Sequence, residues 1–223
     1  YSVHATNYGP LTRSYQCKAS DQPVTGHISV ESVSGGHQSE KNNDDVRVVN
    51  IQSIKCARIP SGFEKHFKNI EGIFAFSSEK TILFGEDLKP FLKLKYLDIS
   101  FNRITHLPSD VFEGNPLMEW IDFSDNKLKL VGLNILDPVP NLHYANFATN
   151  ICINELGRDK TDISRNIKRL LKLNCQPFDD SYTGTTPSTI KAYPNLYPTL
   201  PSTPFTEVTT TTTQKSFWKK LIG

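Results

Sequence analysis

Two eleven-residue stretches, LKYLDISFNRI at 94–104 and MEWIDFSDNKL at 118–128, share one pattern. Each has apolar residues at its first, fourth, sixth and eleventh places and asparagine at the ninth, and their starts lie 24 residues apart. The same step forward reaches LHYANFATNIC at Leu142, with Ala145 at the fourth place, Phe147 at the sixth and Asn150 at the ninth. One step back reaches IEGIFAFSSEK at Ile70, where Ile73 and Ala75 are in register and Ser78 replaces asparagine. A second step back reaches VRVVNIQSIKC at Val46, with Val49, Ile51 and Cys56 in register. The later half of the period agrees too. Leu83, Leu107 and Val131 fill the fourteenth place, Leu88, Phe112 and Leu136 the nineteenth, and Ile59-Pro60 and Leu107-Pro108 repeat an apolar–proline step. One such unit cannot bury its own apolar edge, whereas stacked units bury a continuous core, so a fixed period of this size predicts a quasi-one-dimensional solenoid.

The pattern L-x-x-L-x-L-x-x-N-x-L resembles the leucine-rich repeat over roughly residues 46–155. The resemblance implies an α/β-type leucine-rich repeat solenoid with short parallel strands on the concave face, an irregular or helical convex side, and caps at both ends. Asn102, Asn126 and Asn150 then have a structural task. The chain turns sharply out of each strand and leaves backbone N–H and C=O groups that no ladder pairs, and an amide side chain supplies donors and an acceptor together. The tyrosine–cysteine strand near Tyr15, the SGGH turn at 34–37 and the DDVRVVNI entry at 44–51 resemble secreted, insect-type leucine-rich repeat proteins, small solenoids capped by disulfides.

The four cysteines, Cys17, Cys56, Cys152 and Cys175, include no C-x-x-C pair and accompany no zinc-finger histidines. Their even number fits disulfides, with three pairings open; four buried thiols in a reducing compartment is the alternative. Placed on the solenoid, Cys17 precedes the repeats and Cys56 lies in the first unit, while Cys152 lies in the last unit and Cys175 beyond it. The implied pairing is Cys17–Cys56 and Cys152–Cys175, each tying one cap to one end. The domains expected are an N-terminal cap over 1–45, repeats over 46–151 (units starting at 46, 70, 94, 118 and 142), a C-terminal cap over 152–175, and a tail over 176–223. Within the C-terminal cap, Ile163, Ile167, Leu170 and Leu171 recur at helical spacing. Arg165, Lys168, Arg169 and Lys172 lie off that stripe and read as a solvated outer face.

With 25 basic and 23 acidic residues, the chain carries no broad basic footprint, so nucleic acid is a poor partner. No apolar run reaches the roughly 18 residues of a membrane span. The chain begins at Tyr1 without an apolar leader, as a trimmed secreted product or a cloned fragment would. Residues 176–214, rich in Thr, Ser, Pro and Tyr and ending in TTTTT, read as a disordered stalk open to O-glycosylation; no N-x-S/T sequon occurs. The last nine residues, KSFWKKLIG, mix apolar side chains with three lysines and suit a weak membrane-surface contact or a frayed tail.

Function is expected on the concave face. The third place of successive units reads Val48, Gly72, Tyr96, Trp120, Tyr144; the fifth reads Asn50, Phe74, Asp98, Asp122, Asn146; the eighth reads Ser53, Ser77, Phe101, Asp125, Thr149. Tyr96, Trp120 and Tyr144 are expected as an exposed aromatic column beside Asp98, Asp122 and Asp125, with Phe74 and Phe101 completing a partner-binding surface. The competing reading is that β-propensity alone places aromatics on strands. The six histidines are scattered and no nucleophile–base motif occurs, so no enzyme, cofactor or metal is expected. The partner expected is an extracellular protein or glycan, with a homodimer left open. The alternative is a structural matrix or cell-surface protein tethered through the Thr/Pro-rich tail.

Overall fold

The computed structural model describes residues 29–33, 37, 40–52 and 55–177, together with the backbone of two short strands before them. All of these fall within the first compact unit, residues 1–183. In chain order the strands are β1 (Ser2–Val3), β2 (Gln16–Lys18), β3 (Val48–Asn50), β4 (Gly72–Phe74), β5 (Tyr96–Asp98), β6 (His106–Leu107), β7 (Trp120–Asp122), β8 (Leu130–Val131), β9 (Tyr144–Asn146), β10 (Leu156–Gly157) and β11 (Gln176–Pro177). The main sheet runs β1-β2-β3-β4-β5-β7-β9-β10 and is parallel from β2 to β9, closed by an antiparallel strand at each end. Each step advances the register by one period, so that Val48, Gly72, Tyr96, Trp120 and Tyr144 lie opposite one another. The expected solenoid with parallel concave strands is formed.

The inward places are buried throughout. Val46, Ile70, Leu94, Met118 and Leu142 stack behind the strands, as do the fourth-place and sixth-place residues, and Phe123 and Phe147 lie parallel with centroids 5.5 Å apart. The convex side holds two single-turn helices, α1 (Phe63–His66) and α2 (Gly85–Leu88), and irregular turns. It also carries a second, three-stranded sheet of β6, β8 and β11. Adjacent convex turns approach so closely at Gly132 that a Cβ there would lie 2.2 Å from Ser109 N.

The asparagine ladder forms as the turn geometry requires. Asn102 Oδ1 accepts from the backbone N–H groups of Ser78 and Lys80, while its Nδ2 donates to the carbonyls of Ala75, Ile99 and Ser100. Asn126 and Asn150 repeat this one and two units on. Ser78 does part of the task by donating Oγ–H to the Ile51 carbonyl at 2.8 Å. Just before the ninth place, Ser77, Phe101, Asp125 and Thr149 each adopt a left-handed backbone with φ of 52–57°. That turn aims the next side chain inward and the eighth-place side chain outward.

The eleventh place holds a surprise in the second unit. Lys80 is fully buried where Ile104 and Leu128 stand in later units. Its ammonium donates to Cys56 Sγ at 2.9 Å and to the carbonyls of Cys56 and Arg58. Burial lowers its pKa. Beside it Arg58 pairs with the buried Asp87 at 2.7 Å and lies over the Phe84 ring.

At the C-terminal end Cys152 and Cys175 form a disulfide with Cα atoms 4.9 Å apart. The helical segment between them runs through α3 (Lys160–Asp162), a π turn at Ile163–Ile167 and α4 (Lys168–Asn174). Asp159 caps it by accepting from Asp162 N–H. Ile163, Ile167 and Leu171 are buried, Leu170 partly so. The expected Cys17–Cys56 pairing involves the Cys17 side chain, which lies outside the described residues, although Cys17 is paired opposite Val49 in the sheet. The SGG of the predicted turn and the tail beyond Pro177 also lie outside them.

Candidate functional site

The strands that build the core also set out a concave surface in straight columns, because period-24 register places like positions side by side. At the third place, Trp120 and Tyr144 stack with centroids 4.8 Å apart and planes inclined by 9°. Tyr96 lies in register on the next strand and donates its hydroxyl to Glu119 at 3.1 Å. All three are half-buried rather than fully exposed. Burial and Asp122 push the Tyr144 phenol up to about 12; burial and Glu119 raise that of Tyr96.

The fifth place departs from the expected exposed acidic column. Asp98 and Asp122 are each only 9 % exposed and Phe74 is buried at 4 %. The physical reason is local. Asp98 Oδ1 accepts from both the N–H and the Oγ–H of Ser100, and Asp122 Oδ1 does the same with Ser124, folding each carboxylate over the turn that ends its strand. Asn50 and Asn146 make the same turn-closing bond to Gln52 N–H and Ala148 N–H. The Asp-x-Ser spacing in both central units carried this signal. Asp98 and Asp122 sit opposite one another on adjacent strands, and Asn146 Nδ2 donates to the second oxygen of Asp122 at 3.0 Å. Burial, helped by Asp122, pushes the Asp98 carboxyl up to about 6, and burial also raises Asp122. At the eighth place Phe101 is 49 % exposed and Asp125 is partly exposed with a pKa raised by burial.

A column absent from the expected site completes the face. The second place reads Arg47, Glu71, Lys95, Glu119, and the first three are joined by ion pairs of 3.5 Å. Its sign alternates at the period of the repeat, which was readable in the sequence. In the segments that lead into β5 and β7, Leu92 and Leu117 stand exposed.

The leucine rich repeat family model matches residues 93–145, the stretch that carries Tyr96, Trp120 and Tyr144. The fold is a leucine-rich repeat solenoid. Among solved structures, the leucine-rich repeat solenoid is similar to a chain of the Toll–Spatzle complex of Drosophila, with 19 % identity over 52 % of this chain and 16 % of that one, TM-score 0.46. It is similar also to the glycosylated form of that complex, with 20 % identity over 48 % and 14 %, TM-score 0.45. A third is the APL1 leucine-rich repeat domain, with 17 % identity over 62 % and 35 %, TM-score 0.47. The chain thus spans about a third or less of each of these solved chains. No curated protein matches the sequence.

Chemically, the repeat face offers packed rings, paired charges and two sequestered carboxylates. Among the described residues no three His, Cys, Asp or Glu side chains converge to hold a metal ion, and no helix is long and apolar enough to cross a membrane.

Proposed function

We propose that this leucine-rich repeat solenoid is an extracellular, non-enzymatic binding module that docks a protein partner on its concave face. The observation that carries the proposal is the Trp120–Tyr144 stack with Tyr96 in register beside it. Large aromatic side chains held rigid before binding lose little conformational entropy on docking, which is why they recur at interface hot spots. The stack also favours protein over glycan. A sugar ring needs an open aromatic face, and the stack takes one face of Trp120 and one of Tyr144 away from such a ligand. The alternating charges at the second place and exposed Phe101 give such a site a polar border and an apolar rim. Asp125 belongs to the same rim, whereas Asp98, Asp122 and Phe74 shape the floor. The Cys152–Cys175 disulfide supports an oxidising compartment. Replacing Tyr96, Trp120 and Tyr144 with serine, with folding verified by thermal unfolding, tests the site: partner affinity falls by at least about thirtyfold if these rings are hot spots. Unchanged affinity would place the interface elsewhere.

A further inference from the structure

The C-terminal cap carries a second surface, unlike the concave face in every respect. Residues 158–173 contain six basic and two acidic residues, a net +4, in a chain whose formal net charge is +2, so the remainder is −2. Arg158, Lys160, Arg165, Arg169 and Lys172 are exposed. Among the described residues, Lys168 is the one of the six basic side chains that forms an ion pair, with Asp137 at 2.7 Å. Among the described residues no carboxylate lies within ion-pair distance of Arg165, Arg169 or Lys172. Arg169 Nε donates back to the Arg165 carbonyl at 3.4 Å, which brings its guanidinium over the turn that holds Arg165.

A helix face that serves only solubility intersperses signs, because like charges three and four residues apart repel while opposite charges attract. From Ile163 to Asn174 no acidic residue occurs, and Arg165, Arg169 and Lys172 repel at those spacings. The segment is nevertheless held rigid by its buried Ile163, Ile167 and Leu171, by the disulfide, and by the approach of Gly157, where a Cβ would lie 2.8 Å from the Ile163 side chain. The result is an immobilised row of cations along about 10 Å of helix.

We propose that Arg165, Arg169 and Lys172 form a docking surface for a sulfated linear polysaccharide. Arginine forks match the multiple acceptor oxygens of a sulfate group, and a row of cations matches a chain bearing charge at successive points. Residues 152–177 contain no Trp, Tyr or Phe to stack on nucleobases or to anchor in a lipid interface, and Leu173 is the one exposed large apolar residue of the helical segment.

The test measures binding of a size-defined heparin oligosaccharide to the full chain at low salt. Arg165→Glu/Arg169→Glu weakens binding by at least about tenfold, and Arg165→Gln/Arg169→Gln weakens it less while leaving the helix charge-neutral at those sites. Lys65→Glu/Lys89→Glu, an equal charge change at exposed sites on the convex turns, shifts it by less than about twofold. Chemically desulfated heparin binds at least about tenfold more weakly than the sulfated form. Equal losses in the two Glu pairs would reduce the effect to net charge and overturn the proposal. So would equal binding of desulfated heparin, or tighter binding to phosphatidylglycerol vesicles than to the oligosaccharide. Thermal unfolding of each variant separates a lost surface from a melted cap.

Discussion

Asn126 Nδ2 donates to the Ile99 carbonyl at 3.0 Å while its Oδ1 accepts from Ile104 N–H at 3.0 Å, so one amide ties two backbone groups of the preceding repeat to its own turn. Removing it leaves the buried Ile104 N–H without its acceptor, while the Ile99 carbonyl loses one of two donors and keeps Asn102 Nδ2. Asn126→Ala is expected to destabilise the fold by about 3 kcal/mol, read as a lowered urea midpoint with unchanged slope. Asn126→Ser is expected to cost less, because Ser78 already works at the equivalent place.

The carboxylate pair predicts an unusual pH profile. Asp98 has a folded pKa of about 6 against an ordinary value of 3.8, so between those values the folded chain binds more protons than the unfolded one. Its ionised form is the disfavoured one. From this group stability is therefore highest below about pH 4 and falls as pH rises through 6. Asp98→Asn keeps the acceptor for Ser100, as Asn50 and Asn146 show at equivalent places. It is expected to raise stability at pH 7.5 by on the order of 1–3 kcal/mol and to flatten the slope between pH 4 and 7. Asp122→Asn is expected to gain less, because its second oxygen accepts from Asn146. Thermal melts of the three proteins across that range provide the check.

The terminal disulfide closes a loop of sequence separation 23 around the capping helix. Cys152→Ser/Cys175→Ser is expected to cost about 3 kcal/mol. Amide exchange should rise first in α4 and β11, because the cap is the element that the bond secures. Loss of protection spread evenly over β4 to β9 would contradict this assignment.

How much of this was legible follows from where each signal comes from. The core columns were, because burial acts on every repeat alike and so prints the same residue types at a fixed step from Val46 to Phe147. The Cys152–Cys175 link followed from the need to cover an open end. What escaped was set by single turns. Phe74, Asp98 and Asp122 share the outward parity of Tyr96 and Trp120, yet parity says nothing of a carboxylate folding onto Ser100 or Ser124. Lys80 escaped for another reason. An apolar place was occupied by a long side chain whose ammonium reaches Cys56 Sγ and two backbone carbonyls in the neighbouring unit, a partnership that only the stacked register creates. The alternating Arg47–Glu71–Lys95 column was present in the repeat alignment and becomes meaningful only once the strands are seen side by side.

Docking of a protein on the concave face of the repeats is the proposed function of this solenoid. A photo-crosslinking residue placed at Phe101, beside the aromatic column, and separately at Leu133, which is 55 % exposed in a convex turn, tests it most directly in native extracellular fluid. A discrete protein adduct is expected from position 101 that unlabelled wild-type chain competes away and the Tyr96→Ser/Trp120→Ser/Tyr144→Ser chain does not. An adduct from position 133 alone, or one from position 101 that the triple variant competes equally well, would contradict it.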